Sequence, residues 1–210
     1  MRKTYIAALL LIIASFCLSI YGYNHVPSKM VVHWNEKGEE NGYMAKEWGL
    51  FLLPVIMLLL FLLFIVIPRI DPLGENIEKF RIYYDGFVVI FLLYMFIINL
   101  QIILWNVGIR IEFNLTLPLL FGILFFYIGI LLGKAERNWF VGIRTPWTLS
   151  SDNVWKKTHA IGGKLFKVAG IIAVTGIFAG EYAIILIVAP VILFSIFLVV
   201  YSYFEWRREA

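Results

Sequence analysis

The sequence predicts an all-α integral membrane protein with six transmembrane helices and both termini in the cytoplasm. Three observations predict this class. Hydrophobic residues make up 61% of the 210 residues and charged residues only 15%, whereas a soluble domain carries about 25% charged residues. The charges are grouped between apolar runs that are long enough to cross about 30 Å of hydrocarbon. Finally, Lys and Arg are much more frequent in one set of alternate loops than in the other.

Five apolar runs reach membrane length without a charged residue, and they cover residues 4–23, 48–68, 86–109, 113–133 and 182–204. A sixth run, 168–180, becomes long enough when it is extended back to Gly163, because Lys164 and Lys167 can snorkel to the membrane interface. The alternative is a re-entrant hairpin closed at Gly180 and Glu181, which would leave the termini on opposite sides.

The first run follows Arg2 and Lys3, which is also how a secretory signal peptide begins. Its length of about 20 apolar residues exceeds a usual signal-peptide core, and no A-x-A-like cleavage site follows. Phe16 before Cys17 is unfavourable for a lipoprotein-type site. We therefore expect an uncleaved signal anchor.

The distribution of positive charge predicts the orientation. Of the 18 Lys and Arg residues, 14 lie on the side that holds the two termini and the loop over residues 134–167. The positive-inside rule assigns that side to the cytoplasm. Residues 1–210 then form one polytopic membrane domain with an extracellular loop region at 24–47 and a cytoplasmic loop at 134–167.

Local patterns predict some structure between the spans. Gly38 and Gly42 bracket a turn between two short extended pieces of the outer loop. In the segment 71–84, apolar side chains recur at helical spacing, which favours a short amphipathic helix at the cytoplasmic interface. In the inner loop, Ser150 or Ser151 can cap a helix over residues 152–161 that is stopped by the glycine pair 162–163.

The inner loop carries a long motif. Residues 138–159 read NWFVGIRTPWTLSSDNVWKKTH, which closely resembles the signature of the SdpI family. Two further blocks occur in the family's order. The outer block, which resembles the family's N-terminal domain of unknown function, comprises Val26, Pro27, His33, Trp34, Asn35, Gly38, Gly42, Tyr43 and Lys46. The other block comprises Asp71, Pro72, Glu75, Asn76, Ile77, Lys79, Phe80 and Tyr83.

The resemblance implies a six-span protein of the cytoplasmic membrane that protects the cell from a membrane-active toxic peptide. It also implies that the loaded protein captures a transcriptional repressor at the membrane, as the family's namesake does. The expected partners are therefore membrane lipids, a toxic peptide on the outer face and a repressor protein on the cytoplasmic face. No enzymatic activity, cofactor or direct contact with nucleic acid is expected.

The ligand-binding candidates combine hydrogen-bonding groups with aromatic surface, which suits the gripping of a peptide. His33, Asn35 and Tyr43 belong to the outer loop, and Asn99 and Gln101 are polar residues of the third span. Placed in the middle or outer half of the membrane, Asn99 and Gln101 are candidates to line an outward-facing pocket. The alternatives are an ordered cap that seals the bundle and hydrogen bonds between helices.

Partner-binding candidates come from the inner motif, and they are Asn138, Arg144, Trp147, Asp152, Trp155 and His159. Trp155 and His159 share one face of the predicted helix. The Arg144 guanidinium can bind a carboxylate or a lipid phosphate in bidentate fashion, and Asp152 and Glu136 are its expected acidic partners. The alternative is an aromatic belt at the headgroups formed by Trp139, Trp147 and Trp155 with basic lipid anchors.

Other function classes have less support. A membrane-embedded enzyme acting on a lipid or peptide would use His159, Asp152 and Arg144, but no catalytic signature accompanies them. His25 and His33 are eight residues apart without a matching acidic or Cys ligand, so no metal site is predicted. Export of the peptide is the weakest hypothesis, because no charged residue lies at mid-membrane depth.

Overall fold

The computed structural model describes residues 2–209, in which six long helices form a bundle and a two-stranded hairpin covers one end. The helices are α1 (Lys3–Gly22), α2 (Lys46–Ile70), α3 (Gly74–Lys79), α4 (Arg81–Asn106), α5 (Phe113–Leu132), α6 (Pro146–Ser150), α7 (Asp152–Thr175) and α8 (Ala183–Glu209). The strands are β1 (Lys29–Trp34) and β2 (Glu40–Ala45). Two 3₁₀ turns, Gly176–Phe178 and Gly180–Tyr182, connect α7 to α8.

Six helices are long and apolar enough to span a membrane, which confirms the predicted fold class. They are α1, α2, α4, α5, α7 with the first 3₁₀ turn, and α8 with the second. Inside hydrocarbon, every backbone N–H and C=O must find a partner within the protein, and a helix supplies these partners locally. The charge-free runs therefore become helices, while the polar segments between them form the hairpin and the loops.

Both described chain ends lie at one end of the bundle. The Arg2 guanidinium contacts the Asp85 carboxylate at 3.3 Å, and the Ser151 hydroxyl donates to the Glu209 carboxylate at 2.7 Å. Residues 134–151 lie at this end, which we call the signature end; β1 and β2 define the opposite hairpin end. The assignment of the signature end to the cytoplasm remains a prediction.

The α7–α8 connection lies at the hairpin end, so α7 crosses the whole bundle. At Gly176, immediately after α7, an added Cβ would lie 3.2 Å from the Cβ of Pro118, near the start of α5. Ala183, at the start of α8, lines a cavity together with His33 of β1. The alternative of a re-entrant hairpin closed at Gly180 and Glu181 is therefore wrong. The apolar run that begins at residue 163 is part of α7, which crosses the whole bundle.

The inner helix does not end where the sequence predicted. A stop after residue 161 was expected from Gly162 and Gly163, but α7 continues through both to Thr175. The reason is a close contact between helices: a Cβ added at Gly163 would lie 2.8 Å from the carbonyl oxygen of Gly129 on α5. These glycines therefore act as packing positions between α5 and α7, and tertiary contact outweighs their weak helix propensity.

The predicted interfacial helix over residues 71–84 is divided into α3 and the first turn of α4. Its apolar face, Ile77, Phe80 and Tyr84, is at most 1% exposed and packs into the main hydrophobic core. The face therefore lies against protein and not on the membrane surface. Nearby, the Arg81 guanidinium contacts the Asp85 carboxylate at 2.7 Å, and the same carboxylate contacts Arg2 of the N-terminal segment.

Candidate functional site

The outer loop forms an antiparallel hairpin, which confirms the prediction of two extended pieces joined by a turn. The predicted position of the turn between Gly38 and Gly42 is wrong, because residues 40–42 already belong to β2 and the turn lies at residues 35–39. The turn is closed by the Asn35 side chain, whose Oδ1 accepts hydrogen bonds from the backbone N–H groups of Lys37 and Glu39 at 3.0 and 2.9 Å. Gly38 adopts φ +79°, a conformation that glycine reaches without steric cost. The side chain of Asn35 thus shapes the hairpin tip.

Polar side chains from the helices hold the hairpin against the bundle. Asn106 of α4 binds the free edge of β1: its Oδ1 accepts from the N–H of Val31 at 2.9 Å, and its Nδ2 donates to the Val31 carbonyl at 2.8 Å. The indole of Trp105 donates to the Glu40 carboxylate at 2.8 Å. Asn114 of α5 donates to the carbonyl of Glu36 in the turn at 3.1 Å.

A cavity of about 370 Å³ separates the hairpin from the first turns of α5 and α8, and we call it the hairpin cleft. Its polar wall contains the side chains of His33, Asn35, Asn41 and Asn114. Its remaining lining is Trp34, Glu36, Leu117, Pro118, Ala183, Ile184 and Ile187. The cleft therefore offers both hydrogen-bonding groups and apolar surface.

Two neighbouring residues of β1, His33 and Trp34, make contacts that shape the cleft. The His33 Nδ1 lies 2.6 Å from the Asn41 Oδ1 across the two strands. The Trp34 ring packs on Phe113 and Trp105 at centroid distances of 4.1 and 5.2 Å. Its indole N–H is buried and has no hydrogen-bond acceptor within the described residues. A buried donor without an acceptor is costly.

The structure separates the five ligand-binding candidates. His33 and Asn35 line the hairpin cleft, whereas Tyr43 does not. The Lys29 ammonium lies 5.1 Å from the centroid of the Tyr43 ring, toward the end of the hairpin away from the turn. Asn99 is fully buried and donates to the Ser15 hydroxyl of α1 at 2.9 Å. Gln101 donates to the carbonyl of Ile111 at 2.9 Å. Asn99 and Gln101 therefore make internal hydrogen bonds, and their expected place in an outward-facing pocket is wrong.

Asn41, Asn114 and the α8 residues Ile184 and Ile187 are cleft residues that the sequence analysis did not select. Asn114 is polar at the start of an apolar span, which is a detectable signal. Ile184 and Ile187 are indistinguishable in sequence from the lipid-facing residues around them, so only their packing beside the hairpin identifies them.

The signature loop, residues 134–145, folds around the side chain of Asn138. Its Oδ1 accepts from the N–H groups of Phe140 and Val141 at 2.9 and 2.6 Å, and its Nδ2 donates to the carbonyls of Glu136 and Val141, both at 2.9 Å. The Asp71 carboxylate, after α2, accepts from the Trp139 N–H at 2.9 Å. Two sequence blocks that are far apart in the chain thus meet here.

His159 attaches this loop to α7. The Ile143 N–H donates to the His159 Nε2 at 2.9 Å, so Nδ1 carries the proton and donates to the carbonyl of Trp155, also at 2.9 Å. The His159 ring stacks on Trp155 with centroids 3.9 Å apart, and the Trp155 indole donates to the Ala135 carbonyl at 2.7 Å. Both ring nitrogens of His159 are therefore engaged in holding the fold.

The region after the signature loop packs against α8. Thr145 and Thr148 form a capping box that starts α6, and the Thr145 hydroxyl lies 3.0 Å from that of Ser202 on α8. The ring of Trp147 packs edge-on against Tyr203 at 5.2 Å. The Thr-Pro-Trp segment, residues 145–147, therefore starts α6 and packs against α8, the last spanning helix.

The chain matches the model of the SdpI/YfhL protein family over residues 134–202, and a domain of unknown function, DUF1648, over residues 10–58. It is 30% identical over 207 residues to the immunity protein SdpI of Bacillus subtilis (strain 168), covering 98% of this chain and 97% of that protein. The chain belongs to the SdpI family. No solved structure is detectably similar to it.

Membership of the SdpI family confirms the resemblance that the signature and the outer block indicated. Together with the six apolar helices, it identifies a multi-pass protein of the plasma membrane, which contacts membrane lipids. The similarity to an immunity protein supports a membrane immunity function and suggests a role that is not enzymatic. The family match at residues 134–202 includes the signature loop, α6, α7 and most of α8.

Two expected contacts of the SdpI-family signature are wrong. Arg144 pairs with neither Asp152 nor Glu136; its guanidinium donates to the carbonyl of Trp139 at 2.7 Å, while Asp152 pairs with Arg137 at 2.7 Å. Trp155 does not lie at the headgroups, since it is 1% exposed and stacked on His159. Arg144, Asp152 and His159 thus have separate partners and do not assemble a shared catalytic set.

The partner-binding candidates divide into two groups by exposure. Asn138, Trp155 and His159 are at most 2% exposed and hold the loop in shape. Arg144 and Asp152 are exposed and Trp147 is half-buried, so these three are accessible to a partner.

Proposed function

We propose that the chain protects its cell by binding a membrane-active toxic peptide in the hairpin cleft. The observation that supports this proposal is the cleft itself, whose lining combines amide and imidazole groups with apolar side chains. Such a surface suits an extended peptide, whose backbone needs hydrogen bonds and whose apolar side chains need burial.

The position of the cleft also supports capture of a peptide at the membrane. Ile184 and Ile187 belong to the spanning helix α8, whereas Asn35 lies at the hairpin tip. One side of the cleft therefore continues into the apolar surface of the bundle, along which a membrane-inserting peptide would move. In the predicted orientation the hairpin end is outside the cell, where a secreted peptide arrives.

The experiment follows membrane potential in a sensitive bacterial host that expresses the chain, during challenge with a membrane-depolarising peptide of the kind implied by the family. We expect wild type to preserve the potential. His33→Ala should lower the half-depolarising peptide dose by about tenfold, the effect of losing one interface side chain. Ile184→Trp, which fills the cleft, should remove protection.

His25→Ala is the matched control, because His25 is an exposed histidine outside the cleft that binds the carbonyl of Tyr21 at 2.8 Å. It should protect like wild type when present at the same amount in the membrane. Wild-type protection by both His33→Ala and Ile184→Trp would contradict binding in the cleft.

We propose a second binding function at the signature end, where a cytoplasmic repressor would dock. Trp139 and Phe140 are 49% and 36% exposed, although large apolar side chains are usually buried. They lie beside the exposed Arg144, and aromatic residues with arginine are typical of protein interfaces. The internal bonds of Asn138 hold the loop that presents them.

This proposal is tested with a reporter fused to the promoter of the gene for this chain. We expect toxic peptide to induce the reporter with wild type, and the double change Trp139→Ala with Arg144→Ala to abolish induction while protection persists. The matched control is Trp206→Ala with Arg207→Ala, which removes an exposed tryptophan and arginine from α8 at the same end. Unchanged induction with the first pair would refute docking on the loop.

A further inference from the structure

A second cavity, of about 300 Å³, lies beneath the signature loop at the signature end of the bundle. Its walls come from four spanning helices and from four consecutive residues of the loop. The lining residues are Phe64, Ile67, Tyr84, Phe87, Ile128, Leu131, Leu132, Phe140, Val141, Gly142, Ile143 and Phe166. It is separate from the hairpin cleft, because the two share no lining residue and lie at opposite ends.

The lining is mainly apolar, and several of its polar groups already have partners. The Tyr84 hydroxyl donates to the Phe64 carbonyl at 2.8 Å. In the loop wall, the N–H groups of Phe140 and Val141 are bound by Asn138, and the N–H of Ile143 is bound by His159. A cavity lined mainly by apolar side chains holds water poorly and favours an apolar occupant.

The depth of the cavity is that of the membrane interface. Tyr84 lies one helical turn from the charged side chain of Arg81, and Ile67 lies two residues before Arg69. Lys134 lies two residues after Leu132, and its ammonium is 5.8 Å from the ring centroid of Tyr83. At this level the acyl chains of phospholipids begin and the headgroups meet basic side chains.

The charges around the cavity favour an anionic headgroup. Arg69 and Lys134 flank the lining segments of α2 and α5, and neither makes an ion pair within residues 2–209. The Asp85 carboxylate, next to Tyr84 in the chain, is already paired with Arg81 and Arg2. Among the acidic residues of the signature loop, Glu136 makes no ion pair within the described residues. Positive charge without an internal partner therefore remains beside an apolar cavity.

We propose that this cavity binds one acyl chain of an anionic phospholipid, with the headgroup near Lys134. A linear hydrocarbon chain matches the apolar lining, and the lipid source is present wherever the protein is inserted. Because residues 140–143 form one wall, the bound chain would support the loop. The signature loop would then be part of a lipid site as well as an exposed surface.

The test uses the full-length protein in mild detergent with phosphatidylglycerol, and native mass spectrometry counts the lipids that remain bound. Ile128→Trp fills the cavity, and Lys134→Gln removes the proposed headgroup contact. Ile192→Trp on the lipid-facing side of α8 and Lys156→Gln at the signature end are the matched controls, since both residues are exposed and line no part of the cavity. Thermal unfolding establishes that each variant is folded.

We expect one tightly retained phosphatidylglycerol in wild type and both controls. Ile128→Trp should weaken its retention by about tenfold, the factor for losing the burial of roughly two methylene groups. Lys134→Gln should remove the preference over phosphatidylcholine with the same chains. Equal retention in Ile128→Trp and wild type would overturn the proposal, as would equal loss in Ile192→Trp. Retention without any headgroup preference would refute the anionic assignment.

Discussion

Gly129→Ala is expected to destabilise the bundle by about 1–3 kcal/mol, the usual cost of overpacking a close contact. A Cβ at this position would lie 2.6 Å from the carbonyl oxygen of Gly163 and 2.8 Å from the backbone nitrogen of Lys167. Both atoms belong to the backbone of α7, so no side-chain rotation can relieve the clash. The two helices would have to move apart along their contact.

Gly133→Ala is the matched control, one helical turn later in the same part of the chain. The nearest atom to its added Cβ would be the carbonyl oxygen of Gly129 at 3.6 Å, which is ordinary van der Waals contact. Unfolding of the purified proteins by a denaturing detergent in mixed micelles measures the difference. If Gly129→Ala and Gly133→Ala unfold at the same detergent fraction, the α5–α7 contact is not as close as the structure has it.

Trp155→Ala is expected to cost about 3–5 kcal/mol of folding free energy, the range for removing a large buried aromatic side chain. Trp155 is 1% exposed, belongs to the main hydrophobic core, and stacks on His159. Its indole also donates to the carbonyl of Ala135, which would be left buried without this donor. The change therefore leaves a cavity under the signature loop and breaks the bond that holds the start of the loop.

Trp139→Ala provides the comparison, because Trp139 belongs to the same motif but is 49% exposed. Its replacement should change the unfolding free energy by about 0.5 kcal/mol or less, as for most surface positions. The same detergent unfolding experiment measures both variants. A smaller loss of stability in Trp155→Ala than in Trp139→Ala would show that the two tryptophans have been assigned to the wrong environments.

These stability differences determine how the SdpI-family signature should be mutated in functional work. Changes at Asn138, Trp155 or His159 remove bonds that shape the loop, so a loss of immunity in such variants would report misfolding as readily as a lost partner. Trp139 and Arg144 are informative positions, because their exposed side chains can be removed with the internal bonds of Asn138 left in place.

The sequence predicted the membrane class, the six spans and the outer hairpin because these depend on local properties. Length, apolarity and the absence of charge determine a span, and the turn at Asn35 and Gly38 is made by residues next to one another. The family, too, was evident from the order of residues in the signature. His33 and Asn35 were predicted to bind a ligand because they belong to a polar loop, and both line the hairpin cleft.

Tertiary structure decided the features that depend on residues far apart in the chain. Gly162 and Gly163 would end a free helix, yet α7 continues because α5 packs closely against it. Asn99 forms a hydrogen bond with Ser15 of another helix, and Ile184 becomes a cleft residue only beside the hairpin. Periodicity and composition describe each helix alone. The packing of one helix against another decides which apolar face meets lipid, which meets protein and which lines a cavity.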